Sequence, residues 1–82
     1  MTIKDLKIGE SAIITKVLGE GPLRLRLLDM GLIPKTVVKM QKIAPLGDPL
    51  QIQVRGYELT LRKEDAEKIQ VKKEVNSKWS LL

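Results

Sequence analysis

Residues 50–61 read LQIQVRGYELTL, and this stretch decides the fold class. Its first part, 50–54, alternates leucine, isoleucine and valine with two glutamines, a period-two pattern typical of a strand with one face in water. The next residues, 55–57, predict a tight turn, because Gly56 can adopt a positive φ without steric cost. Residues 58–61 then predict the returning strand of a short β-hairpin.

Two more strands are predicted on the N-terminal side of this hairpin. Residues 36–43 and 12–18 contain several isoleucine, valine and threonine residues, which favour strands. The sequence APLGDP at 44–49 predicts a turn-rich loop, and GEGP at 19–22 ends the first strand. The N-terminal segment up to Gly9 is expected to lie across one end of a barrel.

A short helix is predicted between the first two strands, at 23–30. Pro22 suits the first helical position, because its fixed φ fits and its missing N–H would have no intrahelical partner there. Apolar residues recur from Leu23 at i+4 and i+7, which indicates one buried helix face. Gly31 follows as the expected left-handed cap, where a Cβ would be costly.

The C-terminal part of the pattern predicts one or two helical turns at 63–69 and a last short strand at 70–72. Several short strands, tight turns and one helix indicate a mainly β fold, a small and partly open β-barrel. One short helix is inserted after the first strand, and a short helical segment lies near the C-terminus. We expect a single domain over 1–73 and a C-terminal tail over 74–82 that contains Trp79.

The composition restricts the chemistry that the chain can perform. Its 82 residues include no Cys and no His, so thiolate metal sites and the commonest general base are both missing. Asp29 and Asp48 are not linked by their spacing, and Asp48 is interpreted as a turn residue that bonds its own backbone. We therefore expect no enzyme, no catalytic residue, no cofactor and no dedicated metal site, but only weak metal binding.

The net charge of +5 favours an approach to nucleic acid, an anionic membrane or an acidic protein. A solvated surface that keeps a small domain soluble is the commoner reason for such a charge. Tyr57 and Trp79 are the only aromatic residues, whereas nucleic-acid-binding barrels stack bases on several. A small basic nucleic-acid-binding barrel is therefore the alternative function, and no nucleic-acid partner is expected. No signal peptide or membrane span is apparent, which predicts a cytoplasmic location.

Three motifs occur in order along the chain: LRLRLLDMGLIP at 23–34, APLGDPL at 44–50, and VRGYELTLR at 54–62 followed by EDA at 64–66. Together they resemble the signatures of the ferrous iron transport protein A family (FeoA), over residues 3–72. The resemblance implies an SH3-like barrel. It also implies a cytoplasmic accessory role in bacterial ferrous iron uptake, exerted by binding the cytoplasmic part of the ferrous iron permease, which includes a G-protein domain.

One residue departs from the family pattern. Lys35 follows the proline of the Gly-Leu-x-Pro turn, where the family usually has glycine. If this position requires a positive φ, Lys35 carries backbone strain of about 1 kcal/mol or more.

The helix and the 44–49 loop carry the partner-binding residues that we predict, namely Arg24, Leu25, Arg26, Leu46 and Asp48. Three other leucines of the helix region are expected in the core, namely Leu23, Leu27 and Leu28. Contact with the membrane is expected only through the partner protein. The apolar residues of the tail give weak self-association as a further expectation.

Overall fold

The structure is a computed structural model that describes residues 1–73. Five strands form one antiparallel sheet in the order β4-β3-β2-β1-β5. Two short α-helices accompany the sheet, and a 3-10 turn at Ile3–Asp5 precedes it. In chain order the elements are β1 (Ser11–Val17), α1 (Gly21–Asp29), β2 (Val37–Ile43), β3 (Leu50–Val54), β4 (Tyr57–Leu61), α2 (Lys63–Ala66) and β5 (Ile69–Lys73). The predicted mainly β class is therefore confirmed.

The central hairpin has the geometry that its sequence predicts. Val54 of β3 pairs with Tyr57 of β4, so the connection contains only two residues. Arg55 has φ 50° and Gly56 has φ 86°. Positive φ at both positions defines a type I′ turn, whose twist matches that of the flanking strands.

The boundaries of both helices differ from the prediction. Helix α1 begins at Gly21 and contains Pro22 in its first turn, and Gly31 adopts the expected left-handed conformation with φ 95°. Helix α2 ends at Ala66, so its predicted extension to residue 69 is wrong. The reason is tertiary, because Ile69 already pairs with β1 as the first residue of β5.

The core is aliphatic and receives side chains from every strand. Helix α1 contributes Leu27 as its one fully buried residue, which confirms the prediction for this leucine. Leu23 and Leu28 pack against the core from partly buried positions. The N-terminal segment lies along the outer edge of β5, where the Met1 carbonyl accepts a hydrogen bond of 2.9 Å from the N–H of Val71.

Candidate functional site

Helix α2 lies between the two segments that carry the predicted partner-binding residues. On one side, Nη2 of Arg26 in α1 lies 3.6 Å from Oδ2 of Asp65 in α2. On the other side, Oδ1 of Asp48 in the loop accepts a hydrogen bond of 3.0 Å from the N–H of Lys63. Helix α1 and the 44–49 loop thus both contact α2. We name this region the helix–loop surface and define it by Arg24, Leu25, Arg26, Leu46 and Asp48.

The carboxylate of Asp48 caps a helix that is distant in the sequence. Its predicted bond to its own backbone is wrong, since it accepts from Lys63 instead. The first N–H groups of a helix lack intrahelical acceptors, and the residue before α2, Arg62, has a side chain that only donates hydrogen bonds. Asp48 therefore supplies the acceptor, which gives it a structural role within the surface.

The two arginines of the helix–loop surface also contact their own chain. Nε of Arg24 donates a hydrogen bond of 3.3 Å to the Val17 carbonyl. The side chain of Arg26 is 61% exposed, whereas that of its partner Asp65 is only 13% exposed. Arg26 is therefore accessible to a partner protein, while the Arg24 bond ties α1 to the end of β1.

The two leucines of the helix–loop surface have exposed side chains. Leu25 is 60% exposed and Leu46 is 93% exposed, and neither belongs to the hydrophobic core. Leu25 therefore lies off the buried face of α1. Complete burial of a leucine side chain against a partner is worth about 1.5–3 kcal/mol, so these two residues can supply apolar binding energy.

A second surface, which sequence reasoning missed, lies at the other end of β3. It is a depression of about 510 Å³ lined by the turn after α1, the start of β2 and the β3–β4 turn. We name it the basic pocket and define it by its lining residues Ser11, Pro34, Lys35, Thr36, Val37, Lys39, Gln53, Arg55 and Gly56. The one signal in the sequence was Lys35, which places a cation where the family usually has glycine.

Two carboxylates outside both surfaces are perturbed electrostatically. A hydrogen bond from the Lys73 ammonium, followed by one from the N–H of Lys7, lowers the pKa of Glu10. The N–H of Thr2 donates to the Asp5 carboxylate and lowers its pKa. Both groups are therefore charged at neutral pH and cannot serve there as general acids.

Residues 1–73 contain neither a cluster of metal ligands nor a membrane-spanning helix. Among residues 1–73, no three or more carboxylates come together in a group that could hold a metal ion. Within the same range, no helix has the length and apolar character required to cross a bilayer.

Comparison with known proteins identifies the family. The model of the FeoA domain matches residues 1–73. The chain belongs to the FeoA domain family. A curated relative from Porphyromonas gingivalis (strain ATCC BAA-308 / W83), an Fe(2+) transport protein A/Fe(2+) transporter FeoB fusion protein, is 38% identical over 71 residues. This match covers 87% of the present FeoA chain but 8% of the relative.

Solved structures of FeoA proteins share this fold. Iron(II) transport protein A from Clostridium thermocellum is 33% identical, with a TM-score of 0.86 over 89% of this chain and 45% of that chain. Stenotrophomonas maltophilia FeoA complexed with zinc is 28% identical, with a TM-score of 0.78 over 88% of this chain and 89% of that chain. The latter is described as a procaryotic SH3 domain protein, so the predicted SH3-like fold is confirmed.

Proposed function

We propose that this FeoA domain is a cytoplasmic accessory of bacterial ferrous iron uptake that binds the cytoplasmic part of the ferrous iron permease, including its G-protein domain. The observation that carries the proposal is the Porphyromonas gingivalis relative, which joins an Fe(2+) transport protein A to the transporter FeoB in one chain. A covalent connection gives two modules a high effective concentration for each other.

The helix–loop surface supports such a contact. Leu25 and Leu46 expose apolar side chains, and the two arginines add positive charge beside them. The loop that carries Leu46 is held to α2 by the Asp48–Lys63 hydrogen bond. A loop fixed in this way loses little conformational freedom when it binds, which favours affinity.

The binding unit in this proposal is the domain over residues 1–73. The predicted tail at 74–82, with Trp79, lies outside the described residues. The proposal requires no catalytic residue, no cofactor and no metal bound to this domain, and the membrane is reached only through the transporter.

The nucleic-acid alternative receives no support from the described residues. Tyr57 is the one aromatic residue of the range 1–73, and its hydroxyl donates a hydrogen bond to the Met30 carbonyl. This contact ties its ring to the end of α1, so Tyr57 does not form part of a row of stacking platforms.

Titration of the labelled protein with the isolated cytoplasmic part of its cognate permease tests the proposal, with NMR shifts as the readout. We expect shifts on Arg24–Arg26 and on the loop around Leu46. Leu46→Ser should weaken binding about tenfold or more, because it removes a side chain worth about 1.5–3 kcal/mol on burial. Ile8→Ser is the matched control, since Ile8 is 62% exposed and lies outside the helix–loop surface.

Two results would reject the proposal. One is the absence of any shift at low salt with the permease domain in either nucleotide state. The other is an equal loss of affinity in Leu46→Ser and Ile8→Ser, which would show that apolar exposure anywhere on the domain has the same effect.

A further inference from the structure

The basic pocket is lined by three cations and, among residues 1–73, by no acidic residue. Lys35, Lys39 and Arg55 line it, and none of its lining residues in the described chain is Asp or Glu. The ion pairs within residues 1–73 involve other cations, namely Lys4, Arg26, Arg62 and Lys73. Three like charges around one depression raise the local concentration of anions, because clefts of one sign focus the electric field.

The same pocket contains both non-glycine residues of the described chain that have a positive φ. Lys35 has φ 75° and Arg55 has φ 50°. The left-handed conformation costs an L-residue about 1–2 kcal/mol, and residues under such strain cluster at binding sites. The two strained positions therefore carry two of the three cations of the pocket.

Hydrogen bonds within the chain fix the walls of the pocket. The N–H of Lys35 donates to the Ile14 carbonyl at 2.7 Å, and the N–H of Thr36 donates to the Ile33 carbonyl at 3.2 Å. Thr36 is buried, and its hydroxyl accepts a long hydrogen bond of 3.4 Å from the guanidinium of Arg55. Lys35 is thus anchored through its backbone and Arg55 through its guanidinium, while Lys35, Lys39 and Arg55 are all exposed residues.

The chemistry of the pocket indicates which anion it suits. Tight phosphate sites use converging backbone N–H groups, but the N–H groups of Lys35 and Thr36 are already bonded. No aromatic side chain lines the pocket for stacking a base. Exposed cations beside Val37, which is 42% exposed, are suited instead to carboxylate side chains on a protein surface.

We propose that the basic pocket binds an acidic segment of a partner protein through Lys35, Lys39 and Arg55. This inference rests on the proposed function, because both treat the domain as a module that binds another protein. It adds a second contact, since β3 separates the pocket from the 44–49 loop by about 13 Å at 3.3–3.4 Å per residue.

The test is an NMR and calorimetric titration of the protein with a synthetic ten-residue peptide rich in Glu and Asp, at low ionic strength. We expect amide shifts on the pocket residues, and weaker binding as salt screens the charges. Lys39→Gln and Arg55→Gly should each reduce affinity about two- to fivefold. Glycine suits the left-handed turn at position 55, so this variant removes the charge without adding strain to the turn.

Lys42→Gln is the matched control, because Lys42 is an exposed residue of the same strand as Lys39 but does not line the pocket. It should change the affinity less than twofold. Equal losses in Lys39→Gln and Lys42→Gln would overturn the proposal, because they indicate attraction to net charge alone. Tighter binding of inorganic phosphate or of a single-stranded oligonucleotide than of the peptide, lost in Arg55→Gly, would also overturn it.

The permease domain then separates this inference from the proposed function. Weaker permease binding in Leu46→Ser but not in Arg55→Gly would reject the pocket as a contact and retain docking through the helix–loop surface. Peptide binding at the pocket without any permease binding would retain the pocket and reject the permease as the partner.

Discussion

Replacement of Lys35 by glycine should make the protein more stable and a weaker binder of acidic peptides. Lys35 has φ 75°, a conformation that costs an L-residue about 1–2 kcal/mol. Glycine removes this cost but gives the unfolded chain additional freedom worth about 0.4–1 kcal/mol. We therefore expect the free energy of unfolding to rise by about 0.5–1 kcal/mol, which corresponds to an increase in Tm of about 2–8 °C for a domain of this size.

Lys35→Ala is the control that separates the backbone from the charge. Alanine removes the ammonium but retains the Cβ that makes the left-handed conformation costly. Urea denaturation of the three proteins should therefore find only the glycine variant more stable than the original. Both variants should bind the acidic peptide about two- to fivefold more weakly, because both remove one cation from the basic pocket.

A glycine variant no more stable than the alanine variant would refute the assignment of strain to Lys35. Unchanged peptide affinity in both variants would instead remove Lys35 from the binding site and leave the strain argument intact. The two measurements therefore examine the backbone and the charge independently.

Asp48→Ala should lower the free energy of unfolding by about 0.5–2 kcal/mol, since it removes the acceptor at the start of α2; Asp48→Asn, which retains an oxygen, should lose less than half as much in urea denaturation. Gly31→Ala should destabilise by about 1–2 kcal/mol or more, because φ is 95° and the new Cβ would lie 2.5 Å from the Tyr57 hydroxyl. A double-mutant cycle with Tyr57→Phe should recover part of that loss. The hydrogen bond from Lys73 lowers the pKa of Glu10 in the folded state. The charged Glu10 therefore stabilises the folded protein at pH values above its ordinary pKa of 4.5, and this stabilisation is lost as the pH falls through the folded-state pKa. Glu10→Gln should therefore lose less stability than the original protein between about pH 7 and pH 3, as measured by denaturation; an equal loss in both would contradict the role of this carboxylate.

The sequence predicted those parts of the fold that depend on local chemistry. The β3–β4 hairpin follows from alternating side chains and from Gly56, which lie within a few residues of one another. The end of α2 could not be predicted in this way, because it depends on the pairing of Ile69 with Val17 in β1. Local helix preference is weak compared with such tertiary pairing.

Within the candidate site, the exposure of the residues on α1 could be predicted from the sequence. Leu25 lies off the apolar face of α1, and helical spacing alone predicts its exposure. The role of Asp48 depends on a helix that begins much later in the chain. The basic pocket also depends on residues that are distant in the sequence. Strand pairing places Ser11 of β1 opposite Lys39 of β2, and no single segment of the sequence contains all the residues that line the pocket.

The two proposed surfaces use different interactions, and this difference assigns them different tasks. The helix–loop surface offers exposed leucines, whose burial contributes to affinity and slows dissociation. The basic pocket offers exposed charges, which lose most of their pair energy to solvent and instead accelerate and orient encounter. The two non-glycine residues of the described chain with positive φ, Lys35 and Arg55, both lie in the second surface. A domain of this size can therefore orient a partner at one end of β3 and hold it at the other.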